Sequence, residues 1–203
     1  MAPGMRERWR TDAMRSIRRT ALDLFDQRGF AAVRIDDVAA AAGVSASSIY
    51  RYFGTKEGLL VADEFDSMSE AEVREIFDPE DPVGSMVRAV QRYEAAPDPA
   101  PDLASDPASG GVSTAARRIR YFFDEPSVRQ ALFASLDRAA QRIAPLMVSD
   151  TTSVTQARAA AHALAFAYFG ALEQWYVDGG QRPIGEYVEE GLGPLRRIWS
   201  PVT

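Results

Sequence analysis

Between Ser45 and Lys56 the chain sets three serine hydroxyls, two phenols, a guanidinium and its only ammonium group. Such groups hydrogen-bond to phosphate oxygens and base edges, so the chemistry they suit is recognition of nucleic acid. Bond-breaking chemistry lacks its parts. The chain has no cysteine, and His162 is its only histidine, so neither a metal cluster nor a Ser/His/Asp arrangement with a second histidine can be assembled. No phosphate-cradling loop and no nucleophile beside a base is visible. Asp63, Glu64, Asp66, Glu70, Glu72 and Glu75 spread around a helix as on a solvated surface rather than gathering as ligands would. No catalytic residue, metal or cofactor is expected.

Recognition of this kind needs two short helices, a tight turn between them and small or hydrogen-bonding residues facing outward from the second. The stretch from Ile35 to Phe53 has that pattern. Asp36 to Ala42 predicts one helix, stopped by Gly43; Ser45 can cap the next. Val38, Ala39, Ala42, Val44, Ile49 and Phe53 make the apolar underside, leaving Ala46, Ser47, Ser48, Tyr50 and Arg51 largely on other faces. Ahead of this pair, Met14, Ile17, Ala21, Leu24 and Phe25 recur at helical spacing, with Thr11 as N-cap and Gly29 as stop.

The rest of the chain also reads as helical, with no strand alternation and no repeat. Thr55 opens one amphipathic helix through Leu59, Leu60, Phe65 and Ile76, ending near Asp78-Pro79. Asp81-Pro82 starts the next, with a stripe of Val83, Met86, Val87 and Val90. The Pro-, Ala-, Asp- and Ser-rich stretch over 95–112 is expected to be a loop. Further helices are expected at Ser113 to Phe123, Pro126 to Val148 (bent or shortened by Pro145), Thr151 to Asp178, and Ile184 to Trp199, the last broken near Gly193.

The chain has 203 residues, 46% of them hydrophobic, and a net charge of -6. That charge is unevenly placed: residues 1–61 hold ten Arg or Lys against seven Asp or Glu, leaving thirteen against twenty-two to the remainder. A basic front on an acidic body suits a small DNA-facing module joined to a larger one. Arg6, Arg8, Arg10, Arg15, Arg18 and Arg19 form a basic approach to the first helix, either an arm on DNA or a solvated tail. No apolar run follows the early arginines as in a signal peptide, and Ala159 to Leu172 falls short of a membrane span, so a cytoplasmic location without membrane attachment is expected.

From Arg18 to Leu60 the sequence RRTALDLFDQRGFAAVRIDDVAAAAGVSASSIYRYFGTKEGLL resembles the N-terminal DNA-binding domain of TetR-family regulators. The pattern AxxLFxxxGF, the turn VAxxAGVS and the run IYxYFxxKEGLL carry the likeness. It implies an all-α fold: a three-helix bundle with a helix-turn-helix over residues 1–54, including a flexible arm at 1–10, then a larger effector-binding and dimerisation domain over 55–203. It also implies that Ser45, Ala46, Ser47, Ser48, Tyr50, Arg51 and Tyr52 lie on or beside the recognition helix, with Lys56 as a phosphate anchor. A lysine at a helix N-terminus is disfavoured by the helix dipole unless an anion is present, which agrees. Arg34 stands where the family often has a threonine or serine cap. It cannot accept a capping bond, but its guanidinium can hold a phosphate.

The same resemblance implies a pocket for a small, apolar or aromatic effector, for which Met86, Tyr93, Phe122, Phe133, His162, Phe166 and Phe169 are the candidates. It implies a homodimer through the last two helices, with Tyr168, Leu172, Trp175, Tyr176, Leu195 and Trp199 as candidates for the interface. The implied partner is double-stranded operator DNA, and the function is that of a repressor released from a palindromic operator by its effector. A constitutive or corepressor-dependent regulator, or an activator, of the same fold is the alternative.

Overall fold

A computed structural model describes residues 5–62, 64–95 and 114–199. The loop expected over 95–112 lies outside them except for Ala95, as does the start of the arm at 1–4, and the side chains of Tyr93 and Trp199 are likewise outside the description. The regular structure among the described residues is all helical, with no strand among them. They fall into two compact units: residues 1–62 with 97–131, and 63–96 with 132–203. The first unit therefore takes in residues beyond 54, including a helix distant in sequence.

In the first unit, α1 (Met5–Arg28), α2 (Ile35–Ala42) and α3 (Ala46–Phe53) bury Ile17, Ala21, Leu22, Phe25, Val38, Ile49 and Phe53 against one another. Helix α1 starts earlier than expected. Thr11 is internal to it rather than its cap, and residues 5–10 are its first turns rather than an arm, since nothing between Met5 and Arg10 breaks a helix. Gly29, at φ +82°, stops it.

The expected long helix from Thr55 to Ile76 is instead three short ones: α4 (Gly58–Val61), α5 (Glu64–Ser67) and α6 (Glu70–Ile76). Two causes are visible, one local and one distant in sequence. Ser69 and Glu72 form a reciprocal capping box, each side chain bonding the other's N–H, which starts a new helix. At the end of α4 the carbonyls are taken by guanidinium groups from elsewhere: buried Arg18 donates to those of Leu59 and Ala62, and buried Arg118 to that of Leu60. Arg18 is thus a clasp inside the unit and not part of a DNA arm.

Arg118 belongs to α8 (Thr114–Asp124), which a polar network ties to α1. Arg117 bonds Asp23 at 2.7 Å and Asp26 at 2.8 Å, while Arg120 and the Tyr121 hydroxyl each reach Asp26 at 2.6 Å. Burial, with the Asp26 carboxylate at its hydroxyl, pushes the Tyr121 phenol up to about 12.

Helix α9 (Pro126–Ile143) buries the expected stripe of Val128, Leu132, Leu136, Ala140, Ile143 and, in the following 3₁₀ turn (Ala144–Met147), Met147; Pro145 sits in that turn, ending the α-helix as its missing N–H requires. The second unit contains α7 (Pro82–Ala95), α10 (Val154–Val177) and α11 (Ile184–Trp199). Asp81 caps α7, accepting the Gly84 N–H at 2.8 Å, and Ser153 caps α10. Helix α11 runs through Gly193 and Pro194 without the expected break. Its buried face of Ile184, Tyr187, Val188 and Leu192, with Gly191 set against Ala171, outweighs the poor intrinsic propensity.

Candidate nucleic-acid interface

The turn between α2 and α3 is built by Gly43, whose φ of +66° is the left-handed conformation that frees the chain to reverse; the Val44 N–H then bonds the Ala39 carbonyl at 3.0 Å. Ser45 follows in extended conformation. Its Oγ accepts the Ser48 N–H at 3.2 Å and lies 2.9 Å from both the Ser47 and the Ser48 hydroxyls, so the three serines form one cluster at the N-terminus of α3.

Ile49 and Phe53 are buried beneath α3, which leaves Ser47, Tyr50 and Arg51 exposed on its outer side; Tyr50 is 54% exposed, an unusual setting for a phenol ring. Ala46 and Ser48 are half-buried. Tyr52 is also half-buried and does two things. Its ring meets Phe53 edge-on at 6.5 Å, and it carries the Arg51 guanidinium 4.9 Å from its centroid, with a hydrogen bond of 3.1 Å from Arg51 to its hydroxyl. The arginine is thereby presented rather than loose.

Arg34 precedes α2 with its side chain exposed. The Asp37 carboxylate accepts the Arg34 N–H at 2.7 Å, which is half of a capping box; arginine has no acceptor to complete the other half. That leaves the guanidinium at the rim of the helix-turn-helix. Lys56 follows Gly54, whose φ of +72° ends α3. Its ammonium donates to the Phe30 carbonyl and sits 4.1 Å from the centre of the Phe30 ring and 5.8 Å from that of Phe25. Partial burial pulls its pKa below the ordinary lysine value, against the opposing charges of Glu57 and Glu125. Lys56 therefore packs as well as carrying charge, which its position near the start of α4 alone did not reveal.

Residues 17–62, which hold this geometry, match the family model for bacterial regulatory proteins, tetR family. Those residues carry the N-terminal domain of the tetR family. The likeness of fold extends beyond that stretch: NalD, the secondary repressor of the MexAB-OprM multidrug efflux pump in Pseudomonas aeruginosa, is similar at 19% identity over 91% of this chain and 95% of that one, with a TM-score of 0.53. FadR of Thermus thermophilus, a TetR-family transcriptional repressor in complex with lauroyl-CoA, is 21% identical over 90% and 92% of the two chains, with a TM-score of 0.48. No curated protein matches. With a tetR-family regulatory domain at its front, this chain is a transcriptional regulator with a helix-turn-helix, and among its described residues no helix is long and apolar enough to cross a membrane.

The effector candidates are divided between the two units. Phe122 is buried in the first unit, under Arg118. In the second, Phe133, Phe166 and Phe169 pack on one another, with ring centres 5.7 and 4.9 Å from that of Phe133, while Met86 is half-buried in α7. An open cleft of about 560 Å³ in that unit is lined by other residues: Glu75, Ile76, Arg88, Gln91 and Arg92. Of the interface candidates, Leu172 is 1% exposed and belongs to the protomer core, so it cannot meet a partner. Its position on the wide apolar arc of α10 gave no way to tell core from interface. Tyr168, Trp175, Tyr176 and Leu195 are half-buried, and the Trp175 ring nitrogen donates to the Arg182 carbonyl at 3.0 Å.

His162 links two helices: one ring nitrogen bonds the Arg158 carbonyl at 2.8 Å and the other lies 3.0 Å from the Asp137 carboxylate of α9. The carbonyl bond, then the carboxylate, raise the histidine pKa, because both acceptors favour the doubly protonated ring. A group whose pKa is raised on folding stabilises the fold below its unfolded pKa and loses that contribution as pH rises through the folded value. Wild type is therefore expected to lead His162→Gln in urea midpoint at pH 5.5 and to lose that lead by pH 8.5; a lead independent of pH would show that charge on the ring plays no part.

Proposed function

We propose that this regulator is a cytoplasmic repressor that binds a palindromic operator as a homodimer and is released by a small-molecule effector. DNA binding falls to the helix-turn-helix module within residues 1–54, with Lys56 just beyond it, and effector binding and dimerisation to 55–203. The observation that carries the reading is the outer face of α3, where Ser47, Tyr50 and the Tyr52-supported Arg51 stand exposed over a buried apolar underside. Arg51, Ser47 and Ser48 are suited to base edges and Ala46 to a thymine methyl; Tyr50, Lys56 and Arg34 are suited to phosphates. Two such helices in a two-fold dimer would enter successive major grooves about 34–36 Å apart.

Selection from randomised duplexes should return a palindrome. Removing a base contact with Arg51→Ala should cost about 1–3 kcal/mol on that site while leaving binding to mixed-sequence DNA nearly unchanged. Equal losses on both DNAs would make Arg51 a phosphate contact, and no loss on either would remove α3 from the interface. Adding effector candidates to the same complex separates the regulatory modes: release marks an inducible repressor, tightening a corepressor-dependent one, and indifference a constitutive one. The exposed arginines of the open cleft make anionic compounds worth including beside apolar and aromatic ones.

A further inference from the structure

The ammonium of Lys56 rests on a stack of rings that ends in a different helix. Gly29, in left-handed conformation, turns the chain so that Phe30 folds back beneath Lys56, which lies 4.1 Å above its ring and also bonds its carbonyl. Phe30 is in turn supported from behind. Its ring centre is 5.0 Å from Phe25 and 6.2 Å from Tyr121 of α8, and Phe25 and Tyr121 meet at 5.9 Å, nearly edge-on. All three rings are buried. Tyr121 is itself fixed at its far end, with its hydroxyl donated to Asp26 at 2.6 Å and accepting a bond from Arg120 at 2.9 Å. The Phe30 carbonyl takes one of the three N–H donors of the Lys56 ammonium, so the half-buried group keeps donors that can meet solvent or a phosphate.

We infer that Tyr121 is a positioning residue for DNA binding: pinned by Asp26 and Arg120, it holds Phe30 beneath Lys56 and so sets the point from which Lys56 reaches a phosphate. The inference rests on the reading of Lys56 as a phosphate contact. It assigns a residue of α8, far from the helix-turn-helix in sequence, to the placement of a group at its edge.

Because Lys56 is the only lysine, lysine-selective ¹³C labelling of the full chain gives a single Cε–Hε signal that reports its seat directly. In the wild type that signal should be displaced upfield by the Phe30 ring current. Tyr121→Leu, which keeps apolar bulk without the ring or hydroxyl, should move it toward the position of a solvated lysine, while Tyr121→Phe, which keeps the ring but loses the bonds that pin it, should move it only part of the way. Should the leucine variant fail to fold by circular dichroism, Tyr121→Met, whose flexible chain fills the same volume, carries the same expectation.

In binding to a mixed-sequence duplex, Tyr121→Leu and Lys56→Met should each lower the slope of log affinity against log salt by about 0.9, the share of one phosphate contact, and the double variant should lower it no further. An unmoved Lys56 signal in a folded Tyr121→Leu chain overturns the positioning role, as do additive slopes in the double variant. A signal that moves while Lys56→Met leaves the slope unchanged overturns instead the phosphate reading beneath it.

Discussion

Phe25→Ala is expected to destabilise the protein by about 3–5 kcal/mol, the range for removing a fully buried ring whose surroundings cannot collapse into the space. Phe25 is 1% exposed and stands at the junction of two helices and a turn: it meets Phe30 at 5.0 Å and Tyr121 at 5.9 Å, and Lys56 lies 5.8 Å from its ring. Collapse is hindered because each neighbour is held from its far side, Tyr121 by Asp26 and Lys56 by the Phe30 carbonyl. For a chain of this length such a loss corresponds to a fall in Tm of about 6–20 °C. Phe25→Leu, which retains most of the apolar volume, should lose far less. Thermal denaturation of both variants checks the point, and equal, small losses would show the ring cluster to be loosely packed.

Gly170→Arg is expected to turn a dimer into monomers that are as well folded as the wild type. Along α10 the residues Ala159, Ala163, Phe166, Gly170, Gln174 and Val177 recur at helical spacing and are all exposed, Phe166 by 42% and Val177 by 69%. A stripe on the outside of a helix that is small or apolar at every position but Gln174 is suited to close approach by another helix. Within the protomer a side chain at position 170 would meet nothing within 4 Å, so the substitution creates no clash there, and arginine favours the helix over glycine by nearly 1 kcal/mol. Against a second copy, the same arginine would be a bulky charge in an apolar contact. Loss of the dimer should weaken binding to a palindromic site by about 10²–10⁴, the gain that linking two half-site contacts supplies. Sedimentation equilibrium and operator titration check both parts; a Gly170→Arg chain that remains dimeric would place the interface elsewhere.

What the sequence made legible was local. Helices α2 and α3, the left-handed turn at Gly43 and the Ser45 cap follow from residues within a few positions of each other, and the structure has them as expected. The long helix expected from Thr55 failed where local pattern met distant partners: the carbonyls of Leu59, Leu60 and Ala62 belong to Arg18 and Arg118, which no periodicity links to them. The Ser69–Glu72 capping box, by contrast, is a local signal that sequence reading alone could have found. The unbroken α11 shows tertiary packing overriding glycine and proline. In the candidate site, Lys56 was legible by its uniqueness, but its seat on Phe30 and Tyr121 was not, since aromatic spacing does not say which rings meet.

The arginine clasp on α4 has a consequence for biosynthesis. The carbonyls at the end of that helix find one partner in α1 and another in α8, and the compact unit that carries the recognition helix draws on residues 1–62 and 97–131. On a growing chain the helix-turn-helix leaves the ribosome first, yet Arg118, Tyr121 and the partners of Asp26 are made about 60 residues later, a wait of roughly 3–12 s at ordinary rates of bacterial elongation. During that interval α4 lacks the Arg118 half of its clasp, so the compact unit that carries α3 can be completed only after α8 has been made, not in the order in which the residues of α3 themselves appear.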